Sequence, residues 1–157
     1  MSNAKMDILI DRVRTAMAAD ATITATTKKI EVSEADGILP FAAQPPYYII
    51  VPGESPHEPH ADHTTMMTLR FRVWAYQMIP LPGASLGGVG TRKGVVEMLW
   101  DVFTLLNDNL LGHDDEYDSL FSLGEGDTQD ALNPDSSYFL IRRAITFETK
   151  LQYVQED

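Results

Sequence analysis

Residues 68–76 read Thr68-Leu69-Arg70-Phe71-Arg72-Val73-Trp74-Ala75-Tyr76. Side chains alternate across a strand, so Leu69, Phe71, Val73 and Ala75 share one face. Arg70, Arg72, Trp74 and Tyr76 share the other. The first face is a core face. The second is mixed, and two aromatics beside two guanidiniums have the composition of a protein interface. Core packing under a helix is the competing account.

Outward from this strand, Pro45-Pro46 interrupts the chain ahead of Tyr47-Tyr48-Ile49-Ile50-Val51, a buried-strand signature closed by Pro52-Gly53. Residues 28–32 suit a short strand, with a turn at Asp36-Gly37. Tyr138 to Tyr153 alternates again, with Phe139, Ile141, Ile145, Phe147, Leu151 and Tyr153 on one parity. A weaker strand is expected near 120–123. Residues 6–19 have helical spacing, with Met6, Leu9, Ile10, Val13 and Met17 on one stripe. The β-branched run 22–27 argues against its continuation. A second helix is expected from an N-cap at Thr91 to about Leu111, with Gly112 after its end. Its stripe is Val95, Leu99, Val102, Leu106 and Leu110, flanked by Trp100 and Phe103. Residues 53–64, 78–90 and 113–135 are expected as loops.

Hairpin-length connections imply antiparallel pairing. The expectation is an α+β domain: an antiparallel sheet of about four strands with two helices packed on one face, a two-layer sandwich. One sheet face would stay open. The 157 residues fit one domain, read as 1–157, with 1–4 set aside as a tag remnant.

Composition narrows the function classes. The formal net charge is −11, from 23 acidic and 12 basic residues, which disfavours a grip on nucleic-acid phosphates. There is no cysteine, so thiol chemistry, disulfides and zinc–cysteine sites are excluded. No apolar run reaches the ~20 residues of a membrane span, and residues 1–11 lack a signal-peptide pattern. Between Asp101 and Asp135 lie ten acidic residues and no Lys or Arg. A solvated face is one reading of this run, and a surface that repels another polyanion is the other.

Three motifs invite chemistry. His57, His60 and His63, with Glu58 and Asp62, have donor atoms suited to zinc or nickel. Pro56 and Pro59 oppose a helix there, however, and three-residue steps along a strand send side chains to opposite faces. The glycine-rich run 83–90 precedes a helix, as a phosphate-binding loop does. Lys93 is followed by Gly94 where Ser or Thr is required, so no such loop is expected. Asp114, Asp115, Glu116 and Asp118 lack the ligand spacing of a calcium loop. Neither a Gly-x-Ser-x-Gly elbow nor a His-Glu-x-x-His helix occurs. No catalytic residue and no cofactor is expected.

The order of an opening helix, the Pro46–Gly53 strand, a polar hairpin, the strand from Thr68, a second helix and a closing strand from Tyr138 resembles the tail-terminator (tail-completion) proteins of long-tailed bacteriophages and prophages. The resemblance implies a non-enzymatic ring, commonly a hexamer, at the head-proximal end of the tail tube. Its partners would be further copies of itself, the tail-tube protein and the head–tail connector, with assembly in the bacterial cytoplasm and a final place in the virion tail. Arg70, Arg72, Trp74 and Tyr76 are the interface expectation; Asp114, Asp115, Glu116 and Asp118 would line the lumen and repel DNA. A different head–tail joining protein, or a small metal-binding protein using the three histidines, are the alternatives.

Overall fold

The computed structural model describes residues 4–34, 45–60, 64–79, 88–89, 92–109, 111, 120–126, 129–132 and 139–154. Its centre is the pairing of β4 (Thr64–Ile79) with β9 (Phe139–Val154), antiparallel and in register over all sixteen residues of each strand. Along the far side of β4 lie β3 (His57–His60) and β2 (Tyr47–Pro52), end to end and both antiparallel to it. Along the far side of β9 lie β7 (Phe121–Glu125) and β8 (Gln129–Leu132). The short β1 (Ile30–Val32) closes the sheet beside β2. A separate two-stranded piece pairs β5 (Gly88–Val89) with β6 (Arg92–Lys93).

Three helices pack against one face: α1 (Ala4–Ala19), α2 (Ala21–Thr26) and α3 (Val95–Leu106). The main core lies between. It joins Leu9, Val13 and Met17 of α1 to Met98, Leu99 and Val102 of α3, over Tyr48, Ile50, Leu69, Phe71, Val73, Ile145 and Phe147 of the sheet. The α+β sandwich is as expected, and the apolar stripes of α1, α3 and β4 face inward as their spacing requires.

Several details differ from the sequence expectation. Among the described residues the sheet has seven strands, and β1 runs parallel to β2, so pairing is not wholly antiparallel. β3 occupies the segment expected as a loop at 53–64. Its Pro59 is tolerated because, among the described residues, β3 pairs with β4 alone, so its other side has no ladder to break. β8 likewise falls within the expected loop 113–135, whereas β7 is the weaker strand expected near 120–123.

α1 ends at Ala19 as expected, but residues 22–26 are helical, because Asp20 starts a new helix that Thr27 closes in extended conformation. The Asp20 carboxylate accepts from the Ile23 N–H at 2.9 Å, and the Thr24 hydroxyl donates to the Asp20 carbonyl at 2.8 Å. Helix α3 starts later than expected, capped by Gly94, and ends earlier. Asp108, at φ 58°, takes the left-handed conformation just past the helix end, the place expected for Gly112. Thr91, Leu110 and Gly112 lie outside the described residues.

One core hydrogen bond ties sheet to helix: the Tyr48 hydroxyl donates to the Met98 carbonyl at 3.2 Å. Burial, then the charges of Asp101 and Asp20, push the Tyr48 pKa above its ordinary 10.0. The folded form therefore resists an ionisation that the unfolded chain undergoes. Stability from this group is complete below about pH 10 and is lost as pH rises beyond it. Tyr48→Phe is expected to cost about 1 kcal/mol at neutral pH. It should also flatten the alkaline fall. Urea unfolding of both proteins between about pH 8 and 11 checks both effects.

Candidate assembly surface

The outer face of β4 divides into two regions. In the first, Trp74 is 6% exposed and Tyr76 1%. They belong to a second, smaller core with Tyr47, Ile49, Val51, Leu140 and Ala144, on the sheet face away from the helices. Tyr76 stacks on Tyr47 with ring centroids 4.6 Å apart. The Arg142 guanidinium lies 4.1 Å from the Trp74 ring centroid, donates to the Tyr76 hydroxyl at 3.3 Å, and donates through Nε to Gln129 at 2.8 Å. As anchors for a partner, both aromatics were expected to be accessible. They are instead interior to the subunit, in a core on the sheet face away from the helices and not under a helix.

The second region is open. Arg70 donates through Nε to Glu148 at 2.8 Å and approaches Glu54 at 3.6 Å. The hydrogen bond to Glu148 holds its pKa above the ordinary arginine value. Gly53 donates to the Arg70 carbonyl at 2.8 Å, and a Cβ there would stand 2.9 Å from the same oxygen, so the close approach requires glycine. Arg70 and Arg72 border a groove of about 520 Å³ with Val51, Glu54, Leu123 and Thr146. The four expected interface residues are thus neighbours on one strand face, but only the arginines reach an open groove.

A second groove, of about 530 Å³, lies between α3 and β7 on the helical side of the sheet. Leu99 and Ile145 form its floor; Val96, Trp100 and Phe103 form one wall. Trp100 is 65% exposed and stacks on Phe103 at 5.3 Å. Glu97, Asp101 and Glu125 edge the groove together with Lys93, which bonds Asp101 at 2.6 Å. Its geometry is set by stitches between the two elements. The Ser122 N–H donates to Asn107 Oδ1 at 3.0 Å, and the Asp108 N–H donates to the Leu120 carbonyl at 2.6 Å. A bulge between Ser122 and Gly124, with Gly124 at φ 113°, then turns β7.

On the opposite face of β7, Phe121 and Leu123 are each 53% exposed. With Val96 and Trp100 they concentrate exposed apolar surface at one end of the subunit, the usual mark of a contact site. The sequence carried a signal for this site that core-seeking periodicity passes over. Val96, Trp100 and Phe103 follow at four- and three-residue steps, a second apolar stripe beside the buried one on α3.

His57 and His60 lie on β3, and His63 lies outside the described residues. The expected lumen residues Asp114, Asp115, Glu116 and Asp118 also lie outside the described residues. Among the described residues, no helix is long and apolar enough to cross a membrane.

Among solved structures the chain is similar to a chain from the virion of a native gene transfer agent particle. The TM-score is 0.55 at 12% identity, covering 90% of this chain and 92% of that one. At this identity the likeness is one of fold. No protein-family model and no curated protein sequence matches the chain.

Proposed function

We propose that the chain is a non-enzymatic structural subunit of a phage or phage-like particle, acting as a tail terminator: a ring of copies that caps the head-proximal end of the tail tube and seats the head connector. One observation carries this reading. The fold is shared over 90% of the chain with a component of a gene transfer agent virion, and both chains are covered almost end to end. The exposed apolar surface on α3 and β7 supports it, since a subunit that works by assembly must offer contacts that its own core leaves unfilled.

Capping follows from asymmetry. A tube grows because each added subunit re-creates the face it bound to. A terminator matches that face on one side and presents a different one on the other, so growth stops where it binds. The net charge of −11 opposes unspecific clustering of copies.

Adding the protein to polymerising tail-tube protein tests the reading. Tubes should become shorter as the ratio rises, and the protein should sediment with them. Unchanged tube lengths with nothing co-sedimenting would overturn it.

A further inference from the structure

We infer that three edges of the sheet are closed from within against the addition of a strand from another molecule, with Arg14, Pro59 and Asn107 as the guards. The inference stands apart from the capping role, which can fail while these guards hold.

A strand at a sheet edge presents N–H and C=O groups with which any other extended chain can pair. Among the described residues four strands border this sheet: β1, β3, β7 and β8. Three of them carry a cap, and each cap uses different chemistry.

On β1, the Tyr48 N–H donates to the Lys29 carbonyl and the Ser33 N–H donates to the Ile50 carbonyl. The backbone groups of residues 29, 31 and 33 therefore turn toward β2, and those of 30 and 32 turn outward. Val32 is 42% exposed, so this edge is within reach of another molecule. The Ile30 carbonyl, however, accepts from Arg14 Nε at 3.1 Å. The guanidinium of α1 thus fills an acceptor that an added strand needs, and it places a charge on the edge.

On β3, the Thr68 N–H donates to the Pro56 carbonyl at 2.9 Å, so backbone groups at even positions face β4. Those of His57 and Pro59 face away. Pro59 has no N–H, and a strand laid along this edge loses a rung there.

On β7, both backbone groups of Leu120 are taken. Its N–H donates to the Asn109 carbonyl at 3.1 Å, and its carbonyl accepts from the Asp108 N–H at 2.6 Å. Two residues on, the Ser122 N–H donates to Asn107 Oδ1 at 3.0 Å. The turn after α3 therefore lies along β7 in the place of a further strand. This edge has the greatest need of a cap, because Phe121 and Leu123 leave it flanked by exposed apolar side chains.

A guard differs from an ordinary stabilising contact in what its loss does, and Pro59 separates the two. A proline gives nothing to the ladder, so Pro59→Thr should keep the urea midpoint or raise it, yet open the β3 edge. The test compares full-length Pro59→Thr, Arg14→Ala, Asn107→Ala and Asn107→Asp with the unaltered protein. Ile50→Val, a fully buried change on an interior strand, serves as the control for lost stability. Growth of the infrared amide band of intermolecular sheet is followed on gentle warming. Pro59→Thr, Arg14→Ala and Asn107→Ala should each gain that band roughly tenfold faster than the unaltered protein, the factor that about one recovered backbone hydrogen bond confers. Ile50→Val, though less stable, should stay near the unaltered rate, as should Asn107→Asp, which keeps the acceptor. Pro59 and Arg14 are exposed, so their variants decide the matter should Asn107→Ala fail to fold. The inference is overturned if Pro59→Thr, at an equal or higher midpoint, gains sheet no faster than the unaltered protein. It is equally overturned if Arg14→Ala and Asn107→Ala are no faster than Ile50→Val, or if Asn107→Asp is as fast as Asn107→Ala. Tube shortening by the unaltered protein reads the capping role alone and is independent of these outcomes.

Discussion

Phe147→Ala is expected to remove about 3–5 kcal/mol of stability, a large share of the ~5–15 kcal/mol that holds an ordinary domain together. Phe147 is fully buried and faces Phe71 directly across the β4–β9 pairing, with ring centroids 5.5 Å apart. The position is central to the sheet and lies beneath the helical layer, so little nearby can collapse into the space. The loss should appear in urea unfolding as a lower midpoint with an unchanged slope. Phe147→Leu, which keeps most of the volume, should cost less than half as much. Equal effects for the two variants would contradict the packing account.

Trp74→Ala should also be felt within the subunit. The indole is buried on the outer sheet face, and the Arg142 guanidinium lies over it. Truncation loses about 3–5 kcal/mol of packing, and the guanidinium loses its aromatic partner. For a chain of this size the melting temperature should fall by roughly 10 °C. Arg72→Ala, on the same face but bordering the open groove, should shift it by no more than about 2 °C. If Trp74→Ala melts within that same margin, the indole is not a core residue, and the reading of it as a partner's anchor returns.

The contrast between these residues explains what was legible in the sequence. Periodicity reports whether a position is apolar on a regular face, and it found the stripes of α1 and α3 and the inward faces of β2, β4 and β9. It cannot report what lies over the other face. Trp74 and Tyr76 beside Arg70 and Arg72 had the composition of an interface, yet Arg142, about seventy positions away, roofs the first pair and not the second. Similarly, Pro56 and Pro59 were good evidence against a helix but not against an edge strand, because edge position is a property of the assembled sheet. The missed helix α2 was readable: Asp20 is a strong N-cap, and propensity alone outweighed it. The α3–β7 groove needed both the second stripe on α3 and the arrival of β7, and only the first is a local feature.

The β4–β9 pairing also governs how this chain reaches its native state. Its nearest rung, Ile79 with Phe139, closes a loop of about 60 residues, and every further rung toward Thr64 and Val154 joins positions more distant still. Entropy is therefore surrendered before the central ladder returns any favourable energy, which slows folding relative to a helical domain of the same length. Meanwhile two sixteen-residue strands with apolar faces wait unpaired. In a cell making many copies at once, the interval between synthesis and closure of that ladder is when this protein is most exposed to mispairing with its own kind.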